Sequence, residues 1–244
     1  MITRHDFLRY CEASAASIAL SAGDLLELRE ALAHPATPVI IRLRGGNCTG
    51  CSVSPLTRIS SPVPGNADDV LIASLNVDYH PTLLDLAGNA GREAIRKAYA
   101  EERYLLMVEG GIPADYGGSG IWAWSYDEKE PYVAFGEVVE DLSRRADAVI
   151  CRGTCAAWGG IPFLSSIPAP PSLLKGVGEV TGRSTINIGG CPVREERIVW
   201  TIVQLLLGKT VSLDSFGRPA ALYNKRTREL PARTEKETAA NLLR

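Results

Sequence analysis

The chain has no excess of charge of either sign. Lysine and arginine number 26 against 28 aspartate and glutamate, a net charge of −2. Nothing in that balance offers a footprint for nucleic acid, and there is no acidic tail. No apolar stretch approaches the ~20 residues of a membrane-spanning helix. Internal repeats and low-complexity tracts are missing as well. What remains is an ordinary globular composition, 45% hydrophobic and 22% charged. A disordered chain is thereby excluded, and 244 residues suffice for one sizeable core.

Cysteine is the informative residue: Cys11, Cys48, Cys51, Cys151, Cys155 and Cys191. A domain of this size folds without disulfides, so the thiols point to metal binding or catalysis.

The N-terminus reads in two ways. Residues 1–22 resemble a twin-arginine export signal, with Arg4-His5 where the arginine pair belongs. The apolar run Ala13 to Ala22 is short, however. Glu12 precedes it, and Asp24, Glu27, Arg29 and Glu30 follow with no clear cleavage site. A retained amphipathic helix over about 13–32 fits better. The expected compartment is the cytoplasm or a membrane surface, with periplasmic export as the alternative.

From Pro38 onward apolar runs alternate with helical patterns. Strands are expected at 39–43, 70–76, 104–109, 148–151 and 185–188. Helices are expected at 82–100, 136–145 and 195–207, with a shorter one near 54–59. Continuous Val/Ile/Leu runs suit strands buried on both faces. Repeated β-α alternation predicts an α/β fold, a flavodoxin-like doubly wound parallel sheet with helices on both faces. The expected division is an N-terminal segment 1–35, the sheet domain 36–219, and a C-terminal tail 220–244. Residues 165–182, with three prolines, read as a long surface loop.

On that map Cys48 and Cys51 follow the first strand in Gly45-Gly46-Asn47-Cys48-Thr49-Gly50-Cys51. Cys155 follows the fourth strand and Cys191 the fifth. Ligands of open α/β sheets bind at the carboxyl ends of the strands, so four thiols are expected to converge there. A redox dithiol explains one CxxC pair but not two further thiols at the same edge. Two options remain, a closed Cys₄ zinc site or a [4Fe–4S] cluster. Only one pair is tightly spaced, and Pro192 follows Cys191, which favours the cluster. Cys151 lies within a strand and reads as a small buried hydrophobe. Nothing assigns Cys11 a role.

Several segments then resemble one family, the small subunits of [NiFe] hydrogenases. They are Gly46 to Ser52, Asp78-Tyr79-His80, Val108 to Pro113, Gly153 to Gly160, Gly190-Cys191-Pro192 and Leu213 to Pro219, in the family's order. The resemblance runs from about 38 to 219. It implies an oxidoreductase subunit with one proximal [4Fe–4S] cluster on Cys48, Cys51, Cys155 and Cys191. The implied partner is a large subunit that carries the nickel–iron site and cleaves dihydrogen. This chain would accept the electrons, its glycine-rich turns donating backbone N–H groups from Gly45–Gly50 and Gly153 to sulfur. Two helix N-termini beside the cysteines would add positive ends, and Trp158 would shield the site.

The chain departs from the family pattern in places. Gly50 and Gly160 stand where oxygen-tolerant members carry extra cysteines. Asn47 stands where a glutamate usually precedes the first ligand, so the proton route assigned to that acid is in doubt. Glu109 is the other acid at a strand end, more readily a buried residue fixing a turn than a relay. Longer members continue past the Gly-Arg-Pro motif with a histidine and cysteines for two more clusters. Here 225–233 offers neither, Arg228 falls where the histidine would stand, and no cysteine follows Cys191. The expectation is that another chain, an electron-carrier subunit or a second heterodimer, covers that side. A hydrogen-sensing or non-conducting subunit, a quinone-reducing relative and a zinc module are the alternatives.

Overall fold

A computed structural model describes residues 11–12, 20–34, 37–53, 77–79, 88–101, 103–114, 121–123, 133–165 and 174–224. Its elements in chain order begin with α1 (Ala22–Ala33), β1 (Val39–Arg44), α2 (Gly50–Val53), β2 (Val77–Tyr79), α3 (Gly88–Glu101) and β3 (Tyr104–Glu109). Three two-residue strands follow, β4 (Ile112–Pro113), β5 (Trp122–Ala123) and β6 (Val133–Ala134). Then come α4 (Phe135–Arg145), β7 (Ala148–Arg152), α5 (Thr154–Trp158), α6 (Gly160–Ser165) and β8 (Leu174–Lys175). The last are α7 (Val177–Thr181), β9 (Ile186–Ile188), α8 (Glu195–Leu206) and α9 (Ala220–Tyr223).

Among the described residues five strands form a sheet in the order β2-β1-β3-β7-β9. Every pairing is parallel. This is the flavodoxin-like order, with the chain reversing direction across the sheet between β1 and β3. Period-two alternation sorts each strand between two cores. Ile40, Leu105, Met107, Ile150 and Ile188 join Leu28 and Leu32 of α1 and Ile198, Val199, Ile202 and Val203 of α8. Val39, Ile41, Leu43, Leu106, Val108 and Val149 join Val138, Val139 and Leu142 of α4. Both faces are covered, which is why the strands read as unbroken apolar runs.

The helices follow from spacing and end chemistry. Phe135, Val138, Val139 and Leu142 are the buried stripe of α4, with Glu137 in its first turn and Arg144 and Arg145 in its last. The Tyr104 hydroxyl donates to the Leu142 carbonyl at 2.7 Å and fastens α4 to β3.

Some expectations are corrected. The N-terminal helix does not run unbroken from 13 to 32. It starts after Ser21, whose hydroxyl accepts from the Asp24 N–H while Asp24 accepts from the Ser21 N–H, a capping box that sets the boundary. Residues 165–182 are not all loop, because β8 and α7 lie within them and Val177 is fully buried against the core. The strand expected at 70–76 and the helix at 54–59 lie outside the described residues. The strand beside β1 that is described is β2, at Val77–Tyr79. Helix α1 packs against α8 in the same core as the sheet, together with Cys11 and Leu20.

Candidate metal centre

The parallel strands all finish at one rim. Cys48 and Cys51 follow β1, Cys155 lies in α5 directly after β7, and Cys191 follows β9. All four are free thiols; Cys48 and Cys191 are exposed, Cys51 and Cys155 half-buried. Cys155 lies within electrostatic reach of each of the other three. Burial pushes the Cys51 thiol up to about 11, the Val193 N–H opposes this by hydrogen bonding to it, and charge at Glu109, Cys155 and Cys48 adds to the rise. The Cys155 thiol is raised by burial first, then by charge at Cys191, Cys48 and Glu109. Among the described residues no three His, Cys, Asp or Glu side chains are grouped to hold a single metal ion.

A buried polar network holds the CxxC turn. Arg42, Ser52 and Glu109 are each at most 5% exposed. Arg42 donates to Glu109 Oε2 and to Ser52 Oγ, both at 3.1 Å. Ser52 donates twice to the same carboxylate, from Oγ at 2.6 Å and from its backbone N–H at 3.2 Å. The residue after Cys51 is thus tied to the ends of β1 and β3. Glu109 is therefore a turn-fixing acid with its oxygens engaged. Sequence reasoning missed Arg42 and Ser52. The signal was present in β1, Val-Ile-Ile-Arg-Leu-Arg, where an arginine inside a buried run demands a carboxylate partner.

A second lock joins the other two turns. Thr154 donates through its N–H and its hydroxyl to the Gly190 carbonyl, at 3.0 and 3.1 Å. The Gly190 N–H returns a bond to the Thr154 hydroxyl at 3.1 Å. The residues preceding Cys155 and Cys191 are thereby fastened together.

Gly153 and Gly160 serve by being bare. The N–H groups of Gly45, Gly46 and Gly153 are committed to the carbonyls of Glu109, Gly111 and Ile188. That corrects the expected donor role at those three glycines, and the Val193 N–H hydrogen-bonds to the Cys51 sulfur. A Cβ on Gly153 would stand 2.6 Å from Cys51 Sγ, and one on Gly160 2.6 Å from Cys155 Sγ. Both glycines also have positive φ, +88° and +70°. Two helices begin beside the cysteines, α2 at Gly50 and α8 at Glu195. α2 is a single turn, and the first turn of α8 already carries Glu195 and Glu196. Trp158 packs half-buried against Gly189 beside the Cys191 turn. Cys151 is fully buried in β7, its thiol pushed up to about 12 by burial, and Cys11 is buried in the α1/α8 core.

The site is a fit for a sulfur-ligated group. Its donors are four soft thiols, and glycine backbone approaches two of the sulfurs where no side chain would fit. One buried polar atom beside them, Asn47 Nδ2, has no hydrogen-bond partner among the described residues. An unmet buried donor costs about 1–3 kcal/mol, so Asn47 Nδ2 is a donor free to meet a water or a bound group.

Comparison with known proteins bears on what that is. The family described as "NADH ubiquinone oxidoreductase, 20 Kd subunit" matches residues 48–205. The periplasmic [NiFe] hydrogenase small subunit of Solidesulfovibrio fructosivorans is 31% identical over 92% of this chain and 67% of its own length. The chain belongs to the [NiFe] hydrogenase small-subunit family. A second small subunit, from Nitratidesulfovibrio vulgaris Hildenborough, is 30% identical over 92% of this chain and 68% of its own. Among solved structures, a chain of the recombinant [NiFeSe] hydrogenase from Desulfovibrio vulgaris Hildenborough superposes with a TM-score of 0.66 at 27% identity. That match covers 80% of this chain and 72% of the other. As a hydrogenase small subunit, the chain is an oxidoreductase subunit with the fold of its relatives. No helix among the described residues is long and apolar enough to cross a membrane.

Proposed function

We propose that this small subunit holds one [4Fe–4S] cluster on Cys48, Cys51, Cys155 and Cys191. It relays electrons between the nickel–iron site of a large subunit and an acceptor. What supports the reading is the place of the four cysteines, which come just after the ends of β1, β7 and β9 at one rim of the parallel sheet. A single zinc ion is the poorer reading, since only the Cys48/Cys51 pair is tightly spaced and Pro192 follows Cys191. When bound, such a cluster supplies a one-electron store whose potential depends on burial and on hydrogen bonds to sulfur.

The chain's own residues do the rest. The Arg42–Glu109–Ser52 network and the Thr154–Gly190 lock hold three turns in fixed relation, so little rearrangement accompanies a change of charge. The Val193 N–H donates to the Cys51 sulfur and favours its thiolate. Val53, Ile161 and Phe163 are exposed on α2 and α6, the short helices that carry or follow cysteines. Apolar side chains left in water beside a metal centre suit burial by the large subunit. The buried places of Cys11, Leu20 and α1 favour an N-terminus that stays with the protein. Mass spectrometry of the native N-terminus tests that point.

The cluster is tested by anaerobic purification with iron and sulfide analysis. About four of each per chain is the expected result. Serine at any one of the four positions, but not at 151, should reduce that content. One zinc per colourless chain would overturn the proposal.

A further inference from the structure

Asn47 is held at every point but one. Its Oδ1 accepts from the Thr49 backbone N–H at 2.8 Å and lies 3.5 Å from the Thr49 hydroxyl. That N–H decides which end of the planar amide is oxygen, because an amide nitrogen there would meet another donor. The Asn47 Cβ is packed on the β3 turn, where a Cβ on Gly110 would stand 2.9 Å from it. On the preceding side Gly46 and Gly111 exchange N–H···O bonds at 2.9 and 3.0 Å. Swinging the amide out to water would break its bond from the Thr49 N–H. Its Nδ2 is nevertheless buried with no hydrogen-bond partner among the described residues.

We propose that Asn47 sets the reduction potential of the iron–sulfur site, its Nδ2 donating a hydrogen bond to the sulfur-ligated group at Cys48. The inference rests on the cluster reading above. Reduction by one electron makes a thiolate-held cluster more negative, and a hydrogen bond to its sulfurs favours the more negative state. An exposed amide would be traded for water with little effect. A buried one, oriented beforehand by Thr49, has no competing acceptor and needs no reorganisation. Asn47 therefore shifts the balance between oxidised and reduced forms without taking up a proton.

The test compares wild type with Asn47→Asp and Asn47→Ser in the full chain, isolated anaerobically with its native partners. Asn47→Asp keeps the acceptor for the Thr49 N–H but places an anionic oxygen where the donor was. Asn47→Ser keeps a hydroxyl for the turn and lacks the reach of the amide. Redox titration followed by electron paramagnetic resonance should give a lower midpoint for Asn47→Ser and the lowest for Asn47→Asp, at equal iron and sulfide per chain. An Asn47→Ser midpoint equal to wild type at equal iron overturns the inference. Pulsed resonance on reduced wild type, labelled with ¹⁵N in its asparagine side-chain amides, needs no substitution. A ¹⁵N coupling to the cluster spin is expected, and its absence also overturns the inference. Wild-type protein lacking iron and sulfide would sink the cluster reading instead, a different result from either of these.

Discussion

Replacing Glu109 by glutamine leaves the Arg42 guanidinium buried without the carboxylate that faces it at 3.1 Å. Breaking such a pair costs about 3–5 kcal/mol. It also removes the charged acceptor for both Ser52 bonds, so the turn carrying Cys51 loosens. Urea denaturation of Glu109→Gln should show a loss of that size, with iron content reduced. Unchanged stability would mean that the network is not what holds the rim. Gly160 makes a complementary case. Alanine there meets a positive φ and a sulfur 2.6 Å from its Cβ. We expect a loss of about 1–3 kcal/mol from strain and overpacking. Iron binding should fall with it, measured by metal analysis after anaerobic purification. The same contact argues physically against a larger side chain at this position unless Cys155 moves.

At the scale of elements, α1 is joined to the end of α8 by the Lys209–Asp24 ion pair. Its hydrogen bonds to Lys209 first, then to Ser21, lower the Asp24 carboxyl to about 2. The unfolded value is near 3.9, so the folded form is favoured above about pH 4 and that advantage is lost as pH falls toward 2. Thermal unfolding of Asp24→Asn should accordingly lack part of the acid-side decline seen in wild type. Because the pair is at the surface, the effect is small and weakens further with salt. Parallel acid limbs in the two proteins would remove Asp24 from the account. The elements themselves were unevenly legible. β1, β3 and β7 stood out because burial on both faces leaves nothing polar to interrupt them. Helices α4 and α8 stood out by their buried stripes. β8 and α7 were hidden in a proline-rich stretch, because strands of two residues and helices of one turn have no periodicity to read.

For the whole molecule, the order of the sheet brings three cysteine-bearing turns, far apart in the chain, to one rim. A group bound by all four cysteines ties the β1, β7 and β9 ends to one another, and whatever binds the folded form alone stabilises it. Stripping iron with a chelator under anaerobic conditions should lower the thermal midpoint by about 5 °C or more, read by circular dichroism. Reconstitution with iron and sulfide should restore it. A midpoint indifferent to iron would show that the rim holds its shape without a tether.

The residues alone determined the alternation of apolar runs and amphipathic stripes, and with it the α/β class. They also placed four of the six cysteines next to strand ends, because local spacing and glycine-rich turns are properties of neighbouring residues. Glu109 as a turn-fixing acid was legible for the same reason. Which groups answer which was decided in three dimensions. That the glycine N–H groups are spent on carbonyls, that Val193 donates to Cys51, and that Arg42 finds Glu109 all depend on strand register and on turns closing from opposite ends of the chain. Hydrogen bonds saturate: a donor committed to one acceptor is lost to another, and only the assembled backbone determines that choice.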